Sequence, residues 1–136
     1  MTTLGAAVNS RCVTTTIQSL IELYAHRYSA HDAEGVTELC EAPFLAIRTG
    51  VAIHLPDRDA LREHFEAMMS SYRGAGATEW VPVEVEPHQL GASANFTTVR
   101  WNARDERGTV MRDTRTTYHM LTGADGWRFL SYTNHF

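Results

Sequence analysis

An α+β fold is what this chain predicts, with about three helices in its N-terminal half and a curved antiparallel sheet after them. Three observations carry that expectation. Apolar residues recur at helical spacing in segments up to about residue 74. From about residue 78 apolar and polar residues alternate, in four runs parted by turns at Gly91, Gly108 and Gly123 with Gly126. Runs that follow one another in sequence pair antiparallel by default. The 136 residues, 43% of them hydrophobic, suit one core, expected as a tail over 1–13 and a single domain over 14–136.

The first helix is expected over 16–30. Ile17, Leu20, Ile21, Tyr24 and Tyr28 form one stripe, and Thr15 with Gln18 fits a capping box. Asp32 suits the N-cap of a short second helix carrying Val36, Leu39 and Cys40, which Pro43 cannot continue. Residues 44–55 read as a hairpin turned at Thr49-Gly50. The longest helix follows, capped by Asp57 and closed by Gly74 in a left-handed conformation. Its apolar face holds Leu61, Phe65, Met68, Met69 and Tyr72, and His64 lies in that stripe.

Register follows from the turns. A two-residue turn at Glu106-Arg107 sets Arg100 directly opposite Asp113, an opposite-charge pair. It gathers Val99, Trp101, Val110, Tyr118 and Met120 on one face. A turn over 123–126 adds Trp127 and Phe129 to that face. Continued alternation then puts Thr116, Ser131, Thr133 and His135 on it as well. Arg100, Arg104, Asp113, Arg115, His119 and Arg128 take the other face, with Leu130 and Tyr132. A slip of one residue would undo the sorting.

The totals exclude several classes. Net charge is −4 with no basic block, which disfavours nucleic acid and anionic membranes as partners. The first residues carry no signal-peptide pattern, no apolar run has membrane-spanning length, and Cys12 and Cys40 read as reduced thiols. A cytoplasmic protein is the expectation. The seven histidines show no metal-ligand spacing, and neither a nucleophile elbow nor a phosphate loop is present, so neither metal nor cofactor is expected.

The order of elements, the Tyr-bearing first helix ending in "SAHDAEGVTELC", the "DRDALREHF" helix start, and "VRWNARDERGT" with "TYHMLTGADGWRFLS" together resemble the nuclear-transport-factor-2-like superfamily, nearest its SnoaL-like and ketosteroid-isomerase-like branch. The resemblance spans about residues 14–136. It implies a sheet wrapped into a cone with the helices on its concave side, a small-molecule pocket at the open end, and a homodimer formed through the sheet. Met120, Trp127 and Phe129 would then fill the closed part. Thr116, Ser131, Thr133 and His135 would line the mouth, where their polar groups can be satisfied.

Within such a pocket the residues suggest acid–base chemistry. His64 is suited to a general base because its ordinary pKa lies near neutrality; equally, it suits a core histidine bonded to a carbonyl or a tyrosine. Tyr28 and Tyr118 can donate to a substrate oxygen, or simply fill the core with satisfied tips. Tyr24, Phe65, Met68 and Trp101 are the remaining expected pocket walls. Isomerase chemistry of the ketosteroid kind needs an inward aspartate, and none is evident. A cofactor-free isomerase, dehydratase or cyclase acting on a small apolar molecule, of polyketide or steroid type, is one expectation. A non-catalytic ligand-binding or dimerising domain of the same fold is the other.

Overall fold

The computed structural model describes residues 16–135. Its elements are α1 (Ile17–Ser29), α2 (Ala33–Thr37), β1 (Cys40–Arg48), β2 (Val51–Leu55), α3 (Arg58–Gly74), β3 (Glu79–Leu90), β4 (Ala94–Arg104), β5 (Val110–Gly123) and β6 (Gly126–His135).

Local chemistry explains most of the boundaries. Thr16, not Thr15, caps α1: its Oγ1 accepts the Ser19 N–H at 3.0 Å, and Ser19 Oγ accepts the Thr16 N–H at 2.9 Å. Ser19 thus takes the part assigned to Gln18, whose amide bonds Glu22 instead; Thr15 and Cys12 lie outside the described residues. The Asp32 carboxylate accepts from the Gly35 N–H and starts α2. This helix stops at Thr37, so Leu39 and Cys40 fall beyond it, and Pro43 sits within β1. The β1–β2 turn is the two residues Thr49 and Gly50, both at positive φ, the conformation a two-residue hairpin requires. Asp57 caps α3. Left-handed closure falls at Gly76 (φ 104°) rather than Gly74, because the last turn runs on to Ala75.

Six strands form one curved, open sheet in the order β2-β1-β6-β5-β4-β3. Every neighbouring pair is antiparallel except β1 with β6, which is parallel, so the sheet is mixed. The helices lie on one face; α1 packs against β3 and β6, and α3 against α2, β1 and β2. Between them Tyr24, Phe65, Val99, Trp101, Tyr118, Met120 and Phe129 are buried. Tyr24 anchors this layer, with its ring centroid 5.0 Å from Phe129 and 5.6 Å from Tyr118. Burying each such side chain stabilises the fold by about 1.5–3 kcal/mol.

Two registers differ from the sequence expectation. In β4–β5 the pairing is Arg100↔Arg115 and Asn102↔Asp113, because the turn is longer: Asp105 accepts from the N–H groups of Arg107 and Thr109, and a bulge follows Ala103. The displacement is two residues, so Val99, Trp101, Tyr118 and Met120 still share the inner face. Arg100 remains bidentate to Asp113, now diagonally, at 2.6 and 2.9 Å. Val110, beyond the bulge, is exposed.

The second difference changes the site. Gly123 pairs with Gly126 and Met120 with Phe129, as alternation expects, but His119 pairs with Ser131. Leu130 is therefore an extra residue, a β-bulge, and every later side chain of β6 changes face. Tyr132 and Asn134 turn inward, opposite Tyr118 and Thr116. Ser131, Thr133 and His135 turn outward, where His135 Nε2 meets Thr117 Oγ1 at 2.7 Å and Thr117 meets Thr98 at the same distance.

Candidate functional site

Between the helices and the inner face of the sheet lies a narrow cleft open to solvent. Its walls are aromatic. Tyr24 and Tyr28 come from α1, Phe65 and Tyr72 from α3, Trp80 and Trp101 from β3 and β4, and Tyr118 and Tyr132 from β5 and β6. Thr114, Thr116 and Asn134 add polar groups, and Arg48, at the end of β1, adds a guanidinium. No aspartate or glutamate is among these lining residues.

The polar groups are organised in two sets. At one end Arg48 donates through Nη2 to the Tyr72 hydroxyl at 3.2 Å and through Nη1 to the Tyr132 hydroxyl at 3.4 Å. The Tyr132 hydroxyl also meets His64 Nε2 at 2.6 Å. Elsewhere the Trp101 Nε1–H donates to the Tyr118 hydroxyl at 3.1 Å, and Thr116 donates to Asn134 Oδ1 at 2.9 Å. Tyr28 and Tyr72 each meet Trp80 edge-on, with centroids 5.5 and 4.9 Å away.

Burial sets the protonation states. Desolvation raises the Tyr24, Tyr28, Tyr118 and Tyr132 phenols above their ordinary value, so all four are neutral at pH 7. Arg48 opposes that rise at Tyr132. Desolvation, helped by the charge of Arg48, lowers His64. Moving a proton from Tyr132 to His64 would thus separate charge against burial on both sides. When His64 carries its proton on Nε2, the Tyr132 oxygen accepts from both His64 and Arg48, and its neutral phenol can donate to an oxygen in the cleft.

The expected site residues are divided by this geometry. Tyr24, Tyr28, Phe65, Trp101, Thr116 and Tyr118 line the cleft. His64 stands behind it, joined through Tyr132. Phe129 is core beneath the walls, Trp127 packs near the far turn, and Met68 is half-buried on α3 outside the lining. Ser131, Thr133 and His135 are on the opposite face of the sheet, displaced by the bulge at Leu130. Sequence reasoning placed Tyr132 outside and left Arg48, Trp80, Thr114 and Asn134 unassigned. One signal was available: Phe129 and Tyr132 are large aromatics three residues apart in a strand, a spacing that lets both be buried only across a bulge. Among the described residues no group of three or more His, Cys, Asp or Glu side chains could hold a metal ion, and no helix is long and apolar enough to cross a membrane.

A family model described as "NTF2-like protein (DUF6841)" matches residues 14–136. The chain belongs to this NTF2-like family. Solved structures agree on the architecture. An NTF2-like protein with a cystatin-like fold from Novosphingobium aromaticivorans superposes with a TM-score of 0.69 at 18% identity, over 87% of this chain and 77% of that one. A provisional ketosteroid isomerase from Shewanella frigidimarina gives 0.68 at 16%, over 89% and 96%. A provisional aromatic ring hydroxylase from N. aromaticivorans gives 0.67 at 16%, over 88% and 85%. At these identities the likeness is one of NTF2-like fold. No curated protein matches the chain.

Proposed function

We propose that this NTF2-like domain binds a small, planar, largely apolar molecule in the cleft and addresses one of its oxygens with the Tyr132 hydroxyl. The observation that carries the proposal is the composition of the walls: flat rings on several sides, with a small set of hydroxyls converging at the Arg48 end. Apolar enclosure with few placed polar groups is the usual form of a small-molecule site. The reading is supported by two indoles, Trp80 and Trp101, among the lining residues.

Cofactor-free proton transfer, of isomerase or lyase type, is a second reading, favoured by the 2.6 Å contact of Tyr132 with His64. Tyr132 would protonate the carbonyl oxygen while water at the open mouth takes the α-carbon proton, and would regain its own proton from His64, which is reprotonated from solvent. Among the described lining residues no carboxylate is placed to take the carbon-bound proton, which weighs toward binding alone. The ketone 2-tetralone separates the two. Binding is read from ligand-observed NMR saturation transfer, and turnover from deuterium exchange at its α-carbons. Binding without exchange beyond buffer supports the first reading. Exchange that disappears in Tyr132→Phe and His64→Gln, with binding retained, supports the second. Absence of saturation transfer from 2-tetralone and from simple aromatic oxygen compounds would overturn both.

A further inference from the structure

We propose that Asn134 and Thr116 select a ligand bearing a hydroxyl group, which they receive as hydrogen-bond donor and acceptor together, so that the cleft takes a planar hydroxylated carbonyl compound. The inference rests on the cleft being a ligand site and deepens that reading by naming the class of ligand.

The wall supplied by β5 and β6 carries the inference. Alternation brings Thr116 and Tyr118 of β5 to the inner face, with Asn134 opposite Thr116 and Tyr132 opposite Tyr118. The tyrosine row is already engaged: the Tyr118 hydroxyl accepts from the Trp101 Nε1–H at 3.1 Å, and Tyr132 is joined to His64 and Arg48. The row of Thr116 and Asn134 is engaged only in part. The Thr116 hydroxyl donates to Asn134 Oδ1 at 2.9 Å, and among the described residues the Asn134 amide nitrogen has no hydrogen-bond partner. Thr116 has given its one proton and keeps a lone pair. The pair thus offers the cleft N–H groups from Asn134 and an acceptor oxygen from Thr116. Turning the amide over changes the owners and not the offer: Nδ2 would donate to Thr116, Oδ1 would accept, and the Thr116 hydroxyl would donate. A hydroxyl is the smallest group that answers both, because its one oxygen gives and takes a hydrogen bond. An ether oxygen in its place leaves the acceptor unmatched, and a methyl group leaves both unmatched. Thr116 is 8% exposed, so its oxygen has little water to turn to once a mismatched ligand is seated. Position fixes the rest of the ligand. Asn134 follows Tyr132 by two residues on one face of β6, so the two side chains leave the backbone about 7 Å apart. An oxygen addressed by Tyr132 and a hydroxyl received by Asn134 therefore suit the two ends of a fused ring pair, lying between walls that include Phe65, Trp80 and Trp101.

Three substituents on one skeleton test this. Calorimetric titration of the intact protein would compare 6-hydroxy-2-tetralone with 6-methyl-2-tetralone, matched in size, and with 6-methoxy-2-tetralone, which accepts but cannot donate. The expected result is that the hydroxyl compound binds about fivefold more tightly than either, as two added hydrogen bonds allow. That preference should fall to near parity in Asn134→Leu and in Thr116→Val, and should survive in Thr116→Ser, which keeps the hydroxyl. If one of the first two variants does not fold, the other and the ratios in the native protein still decide. Equal affinity of the three compounds overturns the hydroxyl assignment while leaving the cleft a ligand site, and so does a preference that persists undiminished in Asn134→Leu. Failure of all three, and of 2-tetralone, to bind removes the cleft reading and this inference together.

Discussion

Tyr132 is the residue on which the site turns, since it joins β6 to α3 through His64 and to β1 through Arg48. That junction has a pH signature. His64 is held below its ordinary value of 6.5, first by burial and then by Arg48. The unfolded chain therefore takes up this proton before the folded one does. The His64 contribution to stability is intact above about pH 6.5, declines as pH falls through that unfolded value, and levels off below the folded one. Urea unfolding followed from about pH 8 to 4.5 should show this decline, and His64→Gln should make that part of the profile shallower. An unchanged slope in the variant would contradict the assignment. His64 was legible from its position in an apolar stripe. Its partner was not, because a tyrosine flanked by Ser131 and Thr133 reads equally well on either face of a strand.

Among the elements, the helices were the most readable. Asp32 and Asp57 cap where their side chains suggest, and the stripe of Leu61, Phe65 and Met69 is buried on α3. The strands divide into two cases. Where β4 and β5 slip by two residues, parity keeps Val99, Trp101, Tyr118 and Met120 on the inner face, and Val110, beyond the bulge, is exposed. Where β6 bulges at Leu130, parity is lost and three expected pocket residues leave. This leads to a prediction about chain length. Deleting Leu130 removes the bulge but keeps Ser131 opposite His119 and Tyr132 opposite Tyr118, so Tyr132 stays inside. The shortened protein should fold with a lowered melting temperature, because the added bend and twist of the bulge are lost. It should retain the His64–Tyr132 contact, read as the same depressed His64 titration by NMR. A His64 that titrates at its ordinary value in the deletion protein would contradict this account.

At the scale of the whole molecule, the sheet face turned away from the helices has its own order. Arg100 bridges Asp113 and Glu84, Arg115 reaches Glu84, and Phe96 meets His119 at a tilt of 54° with centroids 4.7 Å apart. Phe96 and Leu121 are both 43% exposed on this face, which marks an apolar area within a charged surround. We propose that two copies pair through it about a twofold axis, as a mixed polar and apolar patch can complement itself. Sedimentation equilibrium at micromolar concentration should give twice the 15.3 kDa chain mass, and Phe96→Asp should return it to the chain mass. A native protein of single-chain mass under those conditions would end this proposal.

Composition and periodicity were enough to determine the α+β class, the Asp32 and Asp57 helix caps, the aromatic identity of the inner layer and the outward ion pair of Arg100 with Asp113. Each depends on neighbours within a turn of helix or on the alternation of one strand. Which polar groups share a site was decided only by tertiary structure. Arg48 lies 84 residues from Tyr132 and His64 lies 68 from it, and the three meet because β1 pairs parallel to β6 and one extra residue turns the end of β6 over. Pairing across a sheet and the position of a bulge are settled by the packing of all the strands at once, and no local pattern carries that information.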